Sequence, residues 1–227
     1  MLSKIKTIVK NSMAFEKIDK LENKHYQKFL TNHEFTILCP NCIGGLIYHR
    51  LGERFDSPTI DLSINTDEYC ALIDNLDYYL AKDLTDGGHK ADGTPIGIIE
   101  GDENNSDIHI CFTHYKTFEE GREKWNLRKT RIHKDNMYVI AYDIGDMFEE
   151  DYTKCGYISE ESLEKFEKIE CNNKVLFTRN PNHNSKYAYY IEPNYNGPFP
   201  LVYLNRTPSG LMEYEKKFDF VGFINSK

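Results

Sequence analysis

The fold is decided by the stretch FTILCPNCIGG, residues 35–45. Residues 35–39 are mostly apolar and predict a buried strand, and residues 41–51 predict a helix that ends at Gly52. An amide, a thiol and two glycines at such a strand-to-helix turn are the usual setting for an anion site or an activated cysteine. The turn therefore predicts where a functional site lies, without identifying its substrate.

Strands and helices are predicted to alternate on both sides of this turn. Amphipathic spacing predicts one or two helices over residues 3–30, which we treat as an N-terminal helical extension (residues 1–30) of a single α/β domain (residues 31–227). Further helices are predicted over 66–81, 117–133, 159–169 and 211–218, and strands over 59–64, 95–99, 107–114, 137–142, 174–178, 187–191 and 201–204. This order favours an α/β fold with a layered sheet of mixed direction.

Composition excludes several classes of protein. A net charge of −8 over 227 residues argues against a general nucleic-acid or anionic-membrane binder, because phosphate affinity needs a basic surface. No run approaches the ~20 apolar residues of a membrane span, and the basic N-terminus lacks the apolar core of a secretory signal. We therefore expect a cytoplasmic protein whose six cysteines are reduced.

The spacing of Cys39 and Cys42 permits three interpretations. A CxxC pair is found in redox proteins and as half of a zinc site, but zinc would need a second CxxC or a paired histidine motif, which this chain lacks. We predict no metal and no bound cofactor. The preferred interpretation of Cys39 is a small apolar core residue at the end of the strand.

Cys42 differs because it lies at the start of the predicted helix. The unpaired N–H groups and the helix dipole there are expected to lower the pKa of its thiol. Asn41 is a natural helix cap or, alternatively, a ligand contact, and Gly44 and Gly45 permit either a ligand or tight helix-on-sheet packing. Both interpretations of this group stay open.

His114 is placed at the carboxyl end of a predicted strand, where α/β sheets collect ligands. It is either a general base that faces the Cys42 turn or a capping or core histidine. The helix that follows is basic within an acidic chain, with Lys124, Arg128 and Arg131 on one face. These side chains suit a phosphate, and the alternative is a solvated face balanced by Glu120.

Four segments together resemble the bacterial domain of unknown function 1919 family: NCIGG (41–45), SPT (57–59), PIG (95–97) and HYKTFEEGREKW (114–125), followed by Arg128 and Arg131. The resemblance spans residues 35–178 and implies a three-layer α/β/α, Rossmann-like arrangement. Similar chains are commonly labelled as exopolysaccharide or capsule biosynthesis proteins. The chain departs from the pattern at Cys39-Pro40, where we expect small polar residues, and at Gly121, where we expect alanine.

These observations lead to a first hypothesis of an acyl or glycosyl transferase in exopolysaccharide or capsular polysaccharide biosynthesis. Its donor would be activated by a nucleotide or CoA, and its acceptor would be a saccharide or another small molecule. Cys42 is the nucleophile or a donor-contacting thiol, His114 the base and Asn41 an oxyanion donor; the predicted substrate or anion contacts are Gly44, Gly45, Lys116, Lys124, Arg128 and Arg131. The alternatives are a non-catalytic module that binds sugar phosphates or nucleotides and a thiol redox protein. A homo-oligomer is compatible with each of the three.

Overall fold

The computed structural model describes residues 20–21, 23–146, 154, 156–171, 173–191 and 218–226. The helical prediction for residues 3–19, the strand prediction for 201–204 and the helix prediction for 211–217 lie outside these residues. In the described ranges, no helix is long and apolar enough to cross a membrane.

Helices and strands alternate along the described chain. The helices are α1 (residues 23–29), α2 (Ile43–Leu51), α3 (Thr66–Asp74), α4 (Leu76–Ala81), α5 (Phe118–Lys129), α6 (Glu160–Lys168) and α7 (Phe220–Asn225). The strands are β1 (Thr36–Leu38), β2 (Ser63–Ile64), β3 (Thr85–His89), β4 (Pro95–Ile99), β5 (Ile108–Cys111), β6 (Met137–Tyr142), β7 (Asn173–Thr178) and β8 (Ala188–Tyr190).

The strands form two separate sheets. One is parallel, with the order β1-β6-β7-β8, and the other is antiparallel, with the order β2-β5-β4-β3. The prediction of an α/β fold is confirmed, but the two strand directions, expected in one mixed sheet, are separated. The reason is connectivity: β3, β4 and β5 follow one another through short loops that allow only antiparallel pairing, whereas helices connect the parallel strands.

The parallel sheet is buried on both faces, as parallel sheets are in α/β proteins. Successive residues of β1 show this, because Ile37 belongs to a first core built with residues of α1, α2 and α7. Leu38 belongs to a second core built with residues of α3, α5, α6 and the antiparallel sheet. The sheet is therefore the middle layer of three. Tyr26 and Leu30, from the predicted N-terminal extension, pack against the first core.

Side-chain caps begin two of the predicted helices. The Thr117 hydroxyl accepts a hydrogen bond from the Glu120 N–H (3.2 Å), and the Ser159 hydroxyl accepts one from the Ser162 N–H (3.1 Å). The helix predicted over 66–81 is instead two helices, which meet at Asn75. The helix predicted over 117–133 ends at Lys129. The helix α5, which carries Arg128, packs against β4 of the antiparallel sheet.

Gly121 of α5 faces the ring of Phe112. A Cβ atom at this position would lie 2.5 Å from Phe112 Cγ, closer than real Cβ contacts allow. Phe112 is fully buried, so the ring has no free space into which to move. The glycine that departs from the family pattern is therefore explained by this aromatic neighbour.

We expect Gly121→Ala to destabilise the protein by ~1–3 kcal/mol through overpacking, despite the better helix propensity of alanine. Urea unfolding measures this change. In a Phe112→Leu background, the same substitution should cost less, because the smaller side chain leaves room for the methyl group. A Gly121→Ala variant more stable than the wild type would contradict this account.

Candidate functional site

A cavity of about 360 Å³ lies beside the start of α2. Its volume falls within the usual range for small-molecule sites. The cavity brings together residues that are up to 72 positions apart in the sequence: Cys42, Gly45, Leu46, His49, Phe55, Asp61 and His114. Cys42 and His114, the predicted nucleophile and base, thus line the same cavity.

The turn between β1 and α2 is held by the Asn41 side chain. Asn41 Oδ1 accepts hydrogen bonds from the Ile43 N–H (3.0 Å) and from the Cys39 thiol (3.3 Å). The side chain is buried, does not line the cavity, and leaves its Nδ2 without a partner among the described residues. Its geometry is that of a residue that shapes the turn, which differs from the expected direct contact with a substrate oxyanion.

Cys39 and Cys42 occupy different environments. Cys39 is fully buried in the core beneath α2, which confirms the preferred interpretation, and burial raises the pKa of its thiol to about 12. Such a thiol is a poor partner for the redox chemistry considered above. Cys42 occupies the N-cap position of α2 without a capping hydrogen bond from its side chain, and it is half-buried at the cavity.

The thiol of Cys42 is not the activated thiolate that its position at the helix start leads one to expect. Burial raises its pKa most, and the nearby charge of Asp61 raises it further; a backbone hydrogen bond opposes both without outweighing them. This corrects the expectation of a lowered pKa. At neutral pH the thiol carries its proton, so attack on a substrate requires a base.

The two glycines of the turn have different neighbours. A Cβ at Gly44 would meet Cys39 Cβ at 3.2 Å, so Gly44 permits close packing on the sheet. A Cβ at Gly45 would lie 2.9 Å from Ile60 Cγ2 and 3.3 Å from Asp61 Oδ1. Gly45 therefore allows the segment that contains Asp61 to approach the first turn of α2.

One backbone N–H group at this turn is available to a ligand. That of Gly45 makes no hydrogen bond to a described residue, whereas that of Cys42 contacts its own thiol. First-turn N–H groups are the usual donors to anions at a helix start. The N–H of Gly45, a residue that lines the cavity, could therefore stabilise an oxyanion.

His114 reaches the cavity from a turn. The strand predicted to extend to this residue ends at Cys111, and the Tyr115 N–H donates to the Phe112 carbonyl (3.1 Å), closing the turn that contains His114. The preceding strand belongs to the antiparallel sheet, so His114 does not lie at the carboxyl edge of the parallel sheet. The imidazole is nevertheless exposed at the cavity.

Arg128 is buried, and both terminal nitrogens of its guanidinium contact groups of the protein. Its Nη1 donates to the Ile60 carbonyl (2.9 Å) and to the Tyr115 hydroxyl (2.7 Å), and its Nη2 lies 3.4 Å from Asp61 Oδ2. The guanidinium also lies 5.3 Å from the centre of the Phe55 ring. This corrects the expectation of a phosphate contact, because these contacts hold the guanidinium between the cavity walls.

The other basic side chains predicted to bind an anion do not line the cavity. Lys116 and Lys124 are exposed, and Arg131 is half-exposed beyond the end of α5. A contact from them to a donor phosphate stays a prediction. Among the described side chains, no group of three or more His, Cys, Asp or Glu residues is arranged to hold a metal ion.

The family described as "Domain of unknown function (DUF1919)" matches residues 12–225 of the chain. The chain belongs to the DUF1919 family. A relative from Haemophilus influenzae, named "Uncharacterized protein", is 31% identical over 189 residues, covering 83% of this chain and 81% of the relative. Neither finding carries an activity, so the function of this DUF1919 chain rests on its site.

Several residues that line the cavity of this DUF1919 chain were not predicted from the sequence to belong to a site. His49 follows Cys42 by seven residues, so helical spacing alone could have placed both on one side of α2. Asp61 gave no such signal, because it lies in a β-rich run and was predicted to be in a strand. Its φ of +64° is instead the one left-handed conformation among the described non-glycine residues.

We expect the alkylation rate of Cys42 by iodoacetamide to rise with pH, with a midpoint above the ordinary thiol pKa of ~8.5, because burial disfavours the thiolate. Peptide mass spectrometry follows Cys42 separately from Cys171, a half-buried thiol that does not line the cavity. A midpoint near or below pH 7 would show an activated thiolate and contradict the raised pKa.

Proposed function

We propose that this DUF1919 chain is an acyl transferase in which Cys42 carries the acyl group and His114 is the general base. The proposal rests on one observation: both side chains line the same cavity. A protonated thiol needs a base within the same site, and imidazole is the side chain best suited to that task at neutral pH. The expected donor is an activated acyl compound linked to CoA or a nucleotide.

In the first half of the proposed reaction, Cys42 Sγ attacks the donor carbonyl while His114 takes the thiol proton. The N–H of Gly45 donates to the oxyanion of the tetrahedral intermediate. The intermediate collapses to a thioester on Cys42 as the CoA thiolate or the nucleotide phosphate leaves, and His114 gives its proton to the leaving thiolate or, with a phosphate, to solvent.

In the second half, His114 takes a proton from the acceptor hydroxyl or amine as that group attacks the thioester. The new ester or amide leaves, and the Cys42 sulfur takes the proton back. A thiol favours acyl over glycosyl transfer here, because the thioester keeps the acyl group reactive toward the acceptor. A role in exopolysaccharide or capsule assembly rests on the motif resemblance alone.

A second candidate function is a binding module without catalysis. The raised pKa of Cys42 favours it, because an unreactive thiol is what a non-catalytic lining residue would have. Such a module would bind a sugar phosphate or a nucleotide at the start of α2, with exposed Lys116 or Lys124 as outer contacts. It predicts ligand binding without any covalent intermediate.

The acyl transferase proposal predicts a covalent intermediate that can be trapped with p-nitrophenyl acetate. We expect a burst of about one equivalent of p-nitrophenol and an acetyl group on Cys42, detected by peptide mass spectrometry. Cys42→Ala should abolish both, and His114→Ala should slow the burst by about 10²–10⁴-fold through loss of the base.

Two matched variants control for general effects of substitution. Cys171→Ala removes a half-buried thiol away from the cavity, and His109→Ala removes an exposed imidazole paired with Glu68 (3.0 Å). Both should retain the burst. Absence of acetyl-Cys42 would reject the proposal in favour of the binding module. An equal burst in His114→Ala would reject His114 as the base, provided that thermal unfolding shows that the variants are folded.

A further inference from the structure

Asp61 lines the cavity but has no role in the proposed transferase reaction. Its backbone adopts the left-handed conformation, which is strained for a non-glycine residue, although aspartate tolerates it better than most. The preceding carbonyl, that of Ile60, accepts hydrogen bonds from both Arg128 (2.9 Å) and Tyr115 (3.3 Å). These contacts hold the strained residue against α2.

The two carboxylate oxygens of Asp61 have different surroundings. Oδ2 faces the Arg128 guanidinium at 3.4 Å. Oδ1 faces Gly45 on the cavity wall and receives no hydrogen bond from a described residue. The side chain is 34% exposed, so this oxygen is open to a molecule in the cavity.

Asp61 does not assist the resting thiol. Its negative charge adds to the effect of burial in raising the pKa of Cys42 and so works against thiolate formation. An anionic group next to Oδ1 would meet the same repulsion, and Nη1 of the nearest guanidinium, that of Arg128, already donates to Ile60 and Tyr115. The open oxygen therefore favours a ligand group that donates hydrogen bonds and carries no negative charge.

We infer that Asp61 is a specificity-determining residue whose Oδ1 binds a hydroxyl or ammonium group of the ligand beside Cys42. Gly45 makes room for this contact, and Arg128 fixes the carboxylate in place. The assignment of that group to the acyl acceptor rests on the proposed function. The preference of Asp61 Oδ1 for hydrogen-bond donors over anions does not rest on the proposed function.

Three methanethiosulfonate reagents of similar size test this preference. Their aminoethyl, hydroxyethyl and sulfonatoethyl forms each give a mixed disulfide on Cys42 and release methanesulfinate. Each rate at Cys42, measured by peptide mass spectrometry at low salt, is divided by that reagent's rate with 2-mercaptoethanol. We expect the normalised rate to be highest for the aminoethyl reagent, lower for the hydroxyethyl reagent and lowest for the sulfonatoethyl reagent. The highest and lowest rates should differ by about tenfold or more.

Asp61→Asn should bring the three normalised rates close together, because asparagine keeps the size of the side chain and tolerates the left-handed backbone but has no charge. Cys171 in the same chain is the internal control, since its relative rates should not change. In the wild type, 1 M salt should also bring the three normalised rates closer together, which tests the charge effect without any substitution.

Equal normalised rates in the wild type, or a span unchanged in a folded Asp61→Asn variant, would overturn this inference. The result is separable from that of the p-nitrophenyl acetate test. If reagent preference follows Asp61 but acetyl-Cys42 does not form, the transferase proposal fails and the binding role of Asp61 stands. If acetyl-Cys42 forms without such a preference, only the role of Asp61 is removed.

Discussion

The burial of the Arg128 guanidinium is the constraint on which the cavity depends. A buried charge without partners is costly, so its donors must be satisfied by groups brought to it from elsewhere in the chain. Here those groups are the Ile60 carbonyl, the Asp61 carboxylate and the Tyr115 hydroxyl. One side chain thus joins α5 to two segments that wall the cavity, and Tyr115 is the direct neighbour of His114.

The opposite wall is fixed by the parallel sheet. The Tyr48 hydroxyl of α2 accepts from the Ile37 N–H and donates to the Phe35 carbonyl, both at 3.0 Å, which ties the helix to β1. The start of α2, where Cys42 lies, is therefore set by the core and not by the ligand. The burial that fixes the thiol also keeps it protonated, which is why a base from another segment matters to the proposed chemistry.

Local features of the fold could be predicted because they depend on neighbours in the sequence. Gly52 ends α2 in the left-handed conformation, and Thr117 caps α5 through its hydroxyl. The role of Arg128 could not be predicted, because a helical repeat of basic residues looks the same whether one face is solvated or buried. The left-handed backbone of Asp61 and the raised pKa of Cys42 likewise arise from contacts between distant segments.

Hydrogen exchange measured by mass spectrometry tests most directly whether Arg128 holds the cavity together. The matched variants are Arg128→Lys and Arg131→Lys, since Arg131 lies only three residues further along the chain but outside the cavity. Lysine cannot reproduce the forked donors of the buried guanidinium. The account predicts faster exchange in segments 55–62 and 112–118 for Arg128→Lys alone; wild-type exchange in both segments of that variant would contradict it.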